Sequence, residues 1–172
     1  MYYLSSLATR KRMARKKVKF DFNPFAIAGV NPSKGSRAQR EELLEEVADY
    51  VQDQIRQTVE KARSPVKGIG KFKALTKDYR AIKRSQGGSG IADLELTSEM
   101  LNSLSVEILK GNVIRATFSN DQQPKADGHH NVSGRSKLPR RPAIPDADRD
   151  ETWNKQITAG IRRIVEDFGT DG

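Results

Sequence analysis

Leu43-Leu44-Glu45-Glu46-Val47-Ala48-Asp49-Tyr50-Val51-Gln52-Asp53-Gln54-Ile55-Arg56-Gln57-Thr58-Val59 decides the architecture. Leu44, Val47, Val51, Ile55 and Val59 recur at spacings of three and four, which puts them on one face of a helix, and Leu43 and Tyr50 widen that stripe. Ser36 followed three residues later by Gln39 is a capping-box pattern, and Ser64-Pro65 supplies the stop, so a helix is expected over 36–62. Its other face carries Glu41, Glu42, Glu45, Glu46, Asp49 and Asp53, the first of them near the positive end of the helix dipole. A helix of that length exceeds what a small core needs, so one end is expected to project or to pack on a neighbouring subunit.

Strand signals surround this helix. Upstream, Val18-Lys19-Phe20-Asp21-Phe22 alternates strictly and is stopped by Asn23-Pro24, so Val18, Phe20 and Phe22 share one face of a short strand. Downstream, a short helix is expected from Thr97 as N-cap, with Met100, Leu101 and Leu104 facing inward. Val106 and Ile108, the Lys110-Gly111-Asn112 turn and Val113-Ile114-Arg115-Ala116-Thr117-Phe118 then form a β-hairpin with Ile114, Ala116 and Phe118 on one face. The basic stretch 66–90 holds two or three helical turns around Leu75 to Lys83, and Ser85 to Gly90 reads as a flexible loop. Residues 119–146 lack periodicity and contain Pro124, Pro139, Pro142 and Pro145, so they read as one long loop. Asp148 with Glu151 is expected to open a last helix, with Trp153, Ile157, Ile161, Ile164, Val165 and Phe168 on one face and Gly169 as its stop. The expected fold is α+β: a long amphipathic helix and a C-terminal helix packed on a small, mostly antiparallel sheet, with an extended N-terminal arm and long loops. Residues 1–35 form the arm and 36–172 a single domain.

Composition narrows the function classes. The 172 residues have no cysteine, which removes disulfides, thiolate metal sites and a cysteine nucleophile. No apolar run is long enough to span a bilayer, and Met1 to Ala8 precede the first basic cluster, the reverse of a secretory signal, so a soluble cytosolic protein with no membrane partner is expected. The net charge of +9 favours polyanions. That charge is striped: Arg10, Lys11, Arg12, Arg15, Lys16, Lys17 and Lys19 crowd one segment without an acid, and Lys67, Lys71, Lys73, Lys77, Arg80, Lys83 and Arg84 form a second block opposed only by Asp78. Arg10 to Lys17 are the candidates for contact with DNA phosphates or with acidic surfaces of adjacent subunits.

Catalytic patterns do not survive inspection. Gly68-Ile69-Gly70-Lys71 suggests a phosphate loop, but Pro65 stands where a glycine is needed and Phe72 where a Ser or Thr is needed. His129-His130 lacks the further ligands of a metal site and reads as part of a solvated loop. The carboxylates of the long helix read as a solvated face, and Trp153 as a core anchor. No enzymatic activity, cofactor or metal is expected.

Leu96-Thr97-Ser98-Glu99-Met100-Leu101-Asn102-Ser103-Leu104 and, further on, Leu138-Pro139-Arg140-Arg141-Pro142 resemble, in that order, the tail-completion and head-to-tail connection proteins of long-tailed bacteriophages. The resemblance extends over residues 36–168: a long helix (Ala38 to Val59), a segment with a basic helical turn (Phe72 to Tyr79, with Lys83), a Thr and Leu motif, a hairpin (Val106 to Phe118), the Pro-Arg-Pro element and a C-terminal helix (Asp148 to Phe168). It departs from the family where Gly128-His129-His130-Asn131 and Ala143-Ile144 stand in place of a Tyr, His and Gly block and a Phe-Leu pair. The resemblance implies a structural virion protein at the neck, made in the host cytoplasm. It further implies a closed homo-oligomeric ring, six-fold to match the tail, with stopper, adaptor or tail-terminator proteins as neighbours. On this reading Val18, Phe20, Phe22, Arg140 and Arg141 are candidate subunit-interface residues, and loop 119–146 is expected to contact the next ring. The alternative is a basic nucleic-acid-binding or packaging-associated assembly factor.

Overall fold

The computed structural model describes residues 17–33, 35–94, 99–130 and 139–170. The chain runs β1 (Lys19–Phe22), α1 (Pro24–Ala28), α2 (Arg37–Glu60), α3 (Lys77–Ser85), α4 (Glu99–Asn102), β2 (Leu104–Leu109), β3 (Val113–Phe118), α5 (Gln123–His130), a 3-10 turn (Ala147–Arg149) and α6 (Lys155–Thr170). This is an α+β fold with one small antiparallel sheet in the order β1-β3-β2.

Alternation fixes the sheet's two faces. Phe20 lies opposite Ala116 and Phe22 opposite Ile114, while Leu104 pairs with Phe118 and Val106 with Ala116, so the apolar residues of all three strands share one side. The other side is polar: Arg115 donates from Nε and Nη2 to Asp21 at 2.7 and 2.8 Å, and this contact lowers the Asp21 carboxyl below its ordinary pKa. The Gly111-Asn112 turn takes both residues to positive φ, +79° and +61°, as a two-strand reversal of this kind demands.

On the apolar side α2 packs against β2, β3 and α6, and α1 packs against α6. The capping box forms: Ser36 Oγ accepts from Gln39 N at 3.2 Å and Gln39 Oε1 accepts from Ser36 N at 2.7 Å. The 24 residues of α2 extend about 36 Å, and Leu43, Leu44, Val47, Ala48, Val51, Ile55 and Val59 are buried along it. The helices approach closely where Gly160 of α6 faces Tyr50 of α2, whose hydroxyl donates to Gln156 O at 3.2 Å.

Trp153 sits at the centre of the core. Its ring meets Phe20 at 5.3 Å and Phe22 at 5.7 Å between centroids, nearly perpendicular in both cases, an edge-to-face arrangement worth about 0.5–1.5 kcal/mol per pair beyond area burial. Trp153 is not helical, as the sequence pattern suggested, but pairs as an isolated bridge with Val66. The helix expected from Asp148 starts later, because Asp150 adopts a left-handed conformation (φ 55°) and Glu151 is engaged elsewhere. Asn154 Oδ1, accepting from Ile157 N at 3.0 Å, caps α6 instead. α6 also continues through Gly169, which therefore does not stop it.

Three further expectations change. Residues 119–146 are not one loop, because 123–130 form α5, with Pro124 in the first turn, where its missing N–H costs nothing. The Ser85 to Gly90 loop is folded back on α3, with Gly88 N donating to Lys83 O at 2.9 Å. Residues 17–33 are no separate arm, since Val18, Phe20, Phe22 and Phe25 are buried in the common core. The expected N-cap Thr97 lies outside the described residues, whereas Met100, Leu101 and Leu104 are buried as read from the sequence.

A Cβ on Gly160 would overlap the Tyr50 hydroxyl and ring. Gly160→Ala is expected to destabilise the chain by about 1–3 kcal/mol, read as a lower urea midpoint. In a Tyr50→Ala background the same change is expected to cost measurably less, because the two residues share one contact.

Candidate interaction surfaces

The Pro-Arg-Arg-Pro element lies at the junction of four chain segments. Arg140 donates from Nε to His130 O at 2.9 Å and holds Glu151 with two nitrogens, Nη1 at 2.6 Å and Nη2 at 2.8 Å. Glu151 also accepts from Asp146 N at 3.1 Å. Arg141 donates from Nη2 to Lys73 O and from its backbone N to His129 O, both at 2.9 Å. Pro142 O accepts from Ser64 Oγ at 2.8 Å, and Ser64 Oγ in turn accepts from Val66 N at 3.1 Å. Lys67 N to Thr152 O and Asn154 N to Pro65 O close the seam between the 64–67 segment and the strand-like approach to α6.

His130 belongs to this seam and not to a solvated loop. It is almost fully buried, and its Nε2 accepts from Ile144 N at 3.4 Å. Burial pushes its pKa down from 6.5 to about 3, and the nearby Arg140 cation acts in the same direction. His129 is lowered too, by burial and then by Arg141.

The candidate interface residues thus have partners within their own chain. Val18, Phe20 and Phe22 turn their side chains into the core, and β1 pairs with β3 of the same chain, which corrects the expectation that these three side chains serve a neighbouring subunit. α5 even covers the beginning of the strand: Val18 N donates to Asp127 Oδ1 at 3.2 Å and Val18 O accepts from Gln123 Nε2 at 3.1 Å. Arg141 is buried and Arg140 partly so. Arg10, Lys11, Arg12, Arg15 and Lys16 lie outside the described residues; Lys17 is exposed and donates to Asn120 Oδ1 at 2.7 Å.

Three surface features remain. An open groove of about 520 Å³ runs between the end of α2, the 63–70 loop and the start of α6, lined by the amides Gln54, Gln57, Asn154 and Gln156 with Lys61 and Arg63. The Gly68-Ile69-Gly70-Lys71 stretch forms part of that loop, closed by the Arg63 to Lys71 bridge, so it lacks the strand-loop-helix setting of a phosphate loop. The second feature is the exposed acidic face of α2 formed by Glu41, Glu42, Glu45, Glu46, Asp49 and Asp53. The third, missed in the sequence reading, is the exposed apolar side of α3. Tyr79 is 43% and Ile82 50% exposed there, and the following Ile91 44%. The hydrophobic spacing of 79 and 82 is visible in the sequence, but nothing in it says that no core covers them.

Among the described residues there is no His, Cys, Asp and Glu grouping that could hold a metal, and no helix long and apolar enough to cross a membrane. Comparisons with protein-family models, curated proteins and solved structures find no match to this chain.

Two outcomes follow from the seam. Arg140→Ala removes the ion partner of the partly buried Glu151, which keeps its bond from Asp146 N, and is expected to cost about 1–3 kcal/mol, measured on the isolated chain by urea unfolding. The depressed His130 pKa means that the unfolded chain takes up the proton first as pH falls through 6.5. The stabilisation is therefore fully present above 6.5 and is lost progressively towards about 3. A loss of about 2 kcal/mol between pH 7 and pH 5 is expected, and His130→Gln should flatten that pH profile.

Proposed function

We propose that this chain is a structural, non-enzymatic component of a bacteriophage virion, forming a homo-oligomeric ring at the neck that joins the head connector to the tail. The observation that carries the reading is the position of the Pro-Arg-Arg-Pro element, the core of the sequence resemblance. Through Arg140, Arg141 and Pro142 it ties together the end of α5, the 64–73 segment and the approach to α6. Residues in such a seam are held by the needs of the fold, so a likeness in this element speaks for a like architecture, and the structural role is carried over from it by analogy. The surface supports the reading as well. The chain presents an acidic helix face and a separate basic helix, two unlike surfaces of the kind a head-to-tail contact joins.

The seven cations between Arg10 and Lys19 favour a second reading, a nucleic-acid-binding assembly factor. Quantitative mass spectrometry of gradient-purified particles of the encoding phage separates the two. A fixed number of copies per particle, about six or a small multiple to suit a cyclic ring, is the expected result. Absence from the particles removes the neck reading, and duplex binding that weakens steeply with salt then supports the alternative.

A further inference from the structure

β2 is an edge strand: in the order β1-β3-β2 it is paired on one side, and among the described residues no strand covers the other. Ser119 N donates to Ser103 O at 3.2 Å, which sets the phase of the β2–β3 ladder. From that pair onward Ser105, Glu107 and Leu109 turn their backbone groups to Thr117, Arg115 and Val113, whereas Leu104, Val106 and Ile108 turn theirs outward. Leu104 O bears this out, since it accepts from Gln52 Nε2 of α2 at 3.3 Å. Val106 is half-buried and Ile108 is 39% exposed, so apolar side chains adjoin the outward N–H and C=O groups. The six residues of β2 include neither proline nor lysine, so the edge lacks two of the usual devices against strand addition.

α2 makes the rim of that edge acidic. Glu45 and Asp49 precede Gln52 at helical spacing, so they share its side of α2, and both are exposed; Arg56 is the one cation of the row. Glu107 of β2 is a further exposed carboxylate. We propose that this edge takes the basic segment Arg10 to Lys16 of a second copy of the chain as an added strand. Charge and pattern select the occupant. Arg10-Lys11-Arg12-Met13-Ala14-Arg15-Lys16 contains no acid and no proline. Paired to the edge, it sets Lys11, Met13 and Arg15 on one side, with Met13 beside the apolar side chains of β2 and the two cations reaching the carboxylates of α2. Residues 1–16 lie outside the described residues and lead into β1, on the opposite edge of the sheet. Lys17 is turned to Asn120, and Lys125 of α5 pairs with Glu99 of α4, so these elements stand between Lys17 and the β2 edge of its own chain. A neighbouring copy supplies the segment without that detour. A second β2 on this edge would instead bring Glu45 and Asp49 of two copies together with like sign. In strand addition the main-chain hydrogen bonds give affinity and the side chains beside them give selectivity. The contact joins unlike surfaces, so it propagates from copy to copy until rotation closes it into a ring. The inference rests on the neck-ring reading in that it names the contact between successive subunits.

The test uses the full chain and sedimentation equilibrium at low salt, with three variants: Lys11→Glu with Arg15→Glu, Glu45→Lys with Asp49→Lys, and Ile108→Pro. The last removes an outward N–H that β3 does not use, so the hairpin keeps its own bonds. Circular dichroism and the urea midpoint establish that each is folded, and the two charge reversals carry the test if the proline variant is not. The wild-type chain is expected to self-associate, and each variant to do so at least about tenfold more weakly. An equimolar mixture of the two reversals is expected to recover association, since each reversed surface then meets its complement. Because the chain has no cysteine, a Met13→Cys chain mixed with an Ile108→Cys chain is expected to yield a cross-link between the two with a short bismaleimide. The proposal is overturned by a wild-type chain that stays monomeric up to about 1 mM, or by association that neither reversal alters. It is equally overturned if a chain carrying both cysteines cross-links only within itself, or if Lys11→Glu with Arg15→Glu abolishes duplex DNA binding while self-association is unchanged. The virion copy number is independent of all these outcomes, so the contact can fail while the neck reading stands.

Discussion

Trp153, held edge-on by Phe20 and Phe22, is the contact on which the rest of the molecule depends. It joins a four-residue strand near one end of the chain to the segment that leads into α6 near the other. Around it the sheet has one side to bury, and α2 and α6 supply the cover. β1 is too short to persist alone in water. Its place on the edge of β3 is secured by this aromatic cluster and by the α5 amide and carboxylate that pair both backbone groups of Val18. The Val66 bridge brings the 62–72 segment to the same point, so elements far apart in the sequence share one anchor.

Beside the aromatic centre lies a polar seam that is costly to build and hard to remove. Buried charge is tolerated only when paired and hydrogen-bonded. Arg140 satisfies that condition through a two-nitrogen grip on Glu151 and a bond to His130 O, and the His130 ring stays neutral because burial makes its protonation unfavourable. These groups specify one arrangement of backbone where apolar packing alone would accept several. The Pro-Arg-Arg-Pro element therefore works inside the chain, tying its own segments together.

The exposed helix faces divide by charge. α2 buries one side along its length and offers the other as a row of carboxylates, while α3 is ordered by its own loop, with Tyr79 and Ile82 exposed on one side and Arg80 and Arg84 on the other. A monomer gains nothing in stability from the exposed apolar side of α3.

Much of this was legible in residue order. The stripe of α2, its capping box, the alternation of β1 and the hairpin follow from local periodicity and turn chemistry, and these alone determined an α+β fold around Leu44, Val51, Ile55, Phe20, Ile114 and Phe118. α5 has no periodic signal because its buried side includes Gln123, Asp127 and His130, and Gln123 and Asp127 find partners on Val18 of a distant segment. The start of α6 was misplaced because Glu151, a good capping residue in isolation, is drawn away by Arg140. Val18, Phe20 and Phe22 were rightly read as one strand face, but periodicity cannot say whose core that face enters. That choice, the burial of Arg141 and the exposure of Ile82 belong to tertiary structure, because each depends on what lies opposite the side chain, which local sequence does not encode.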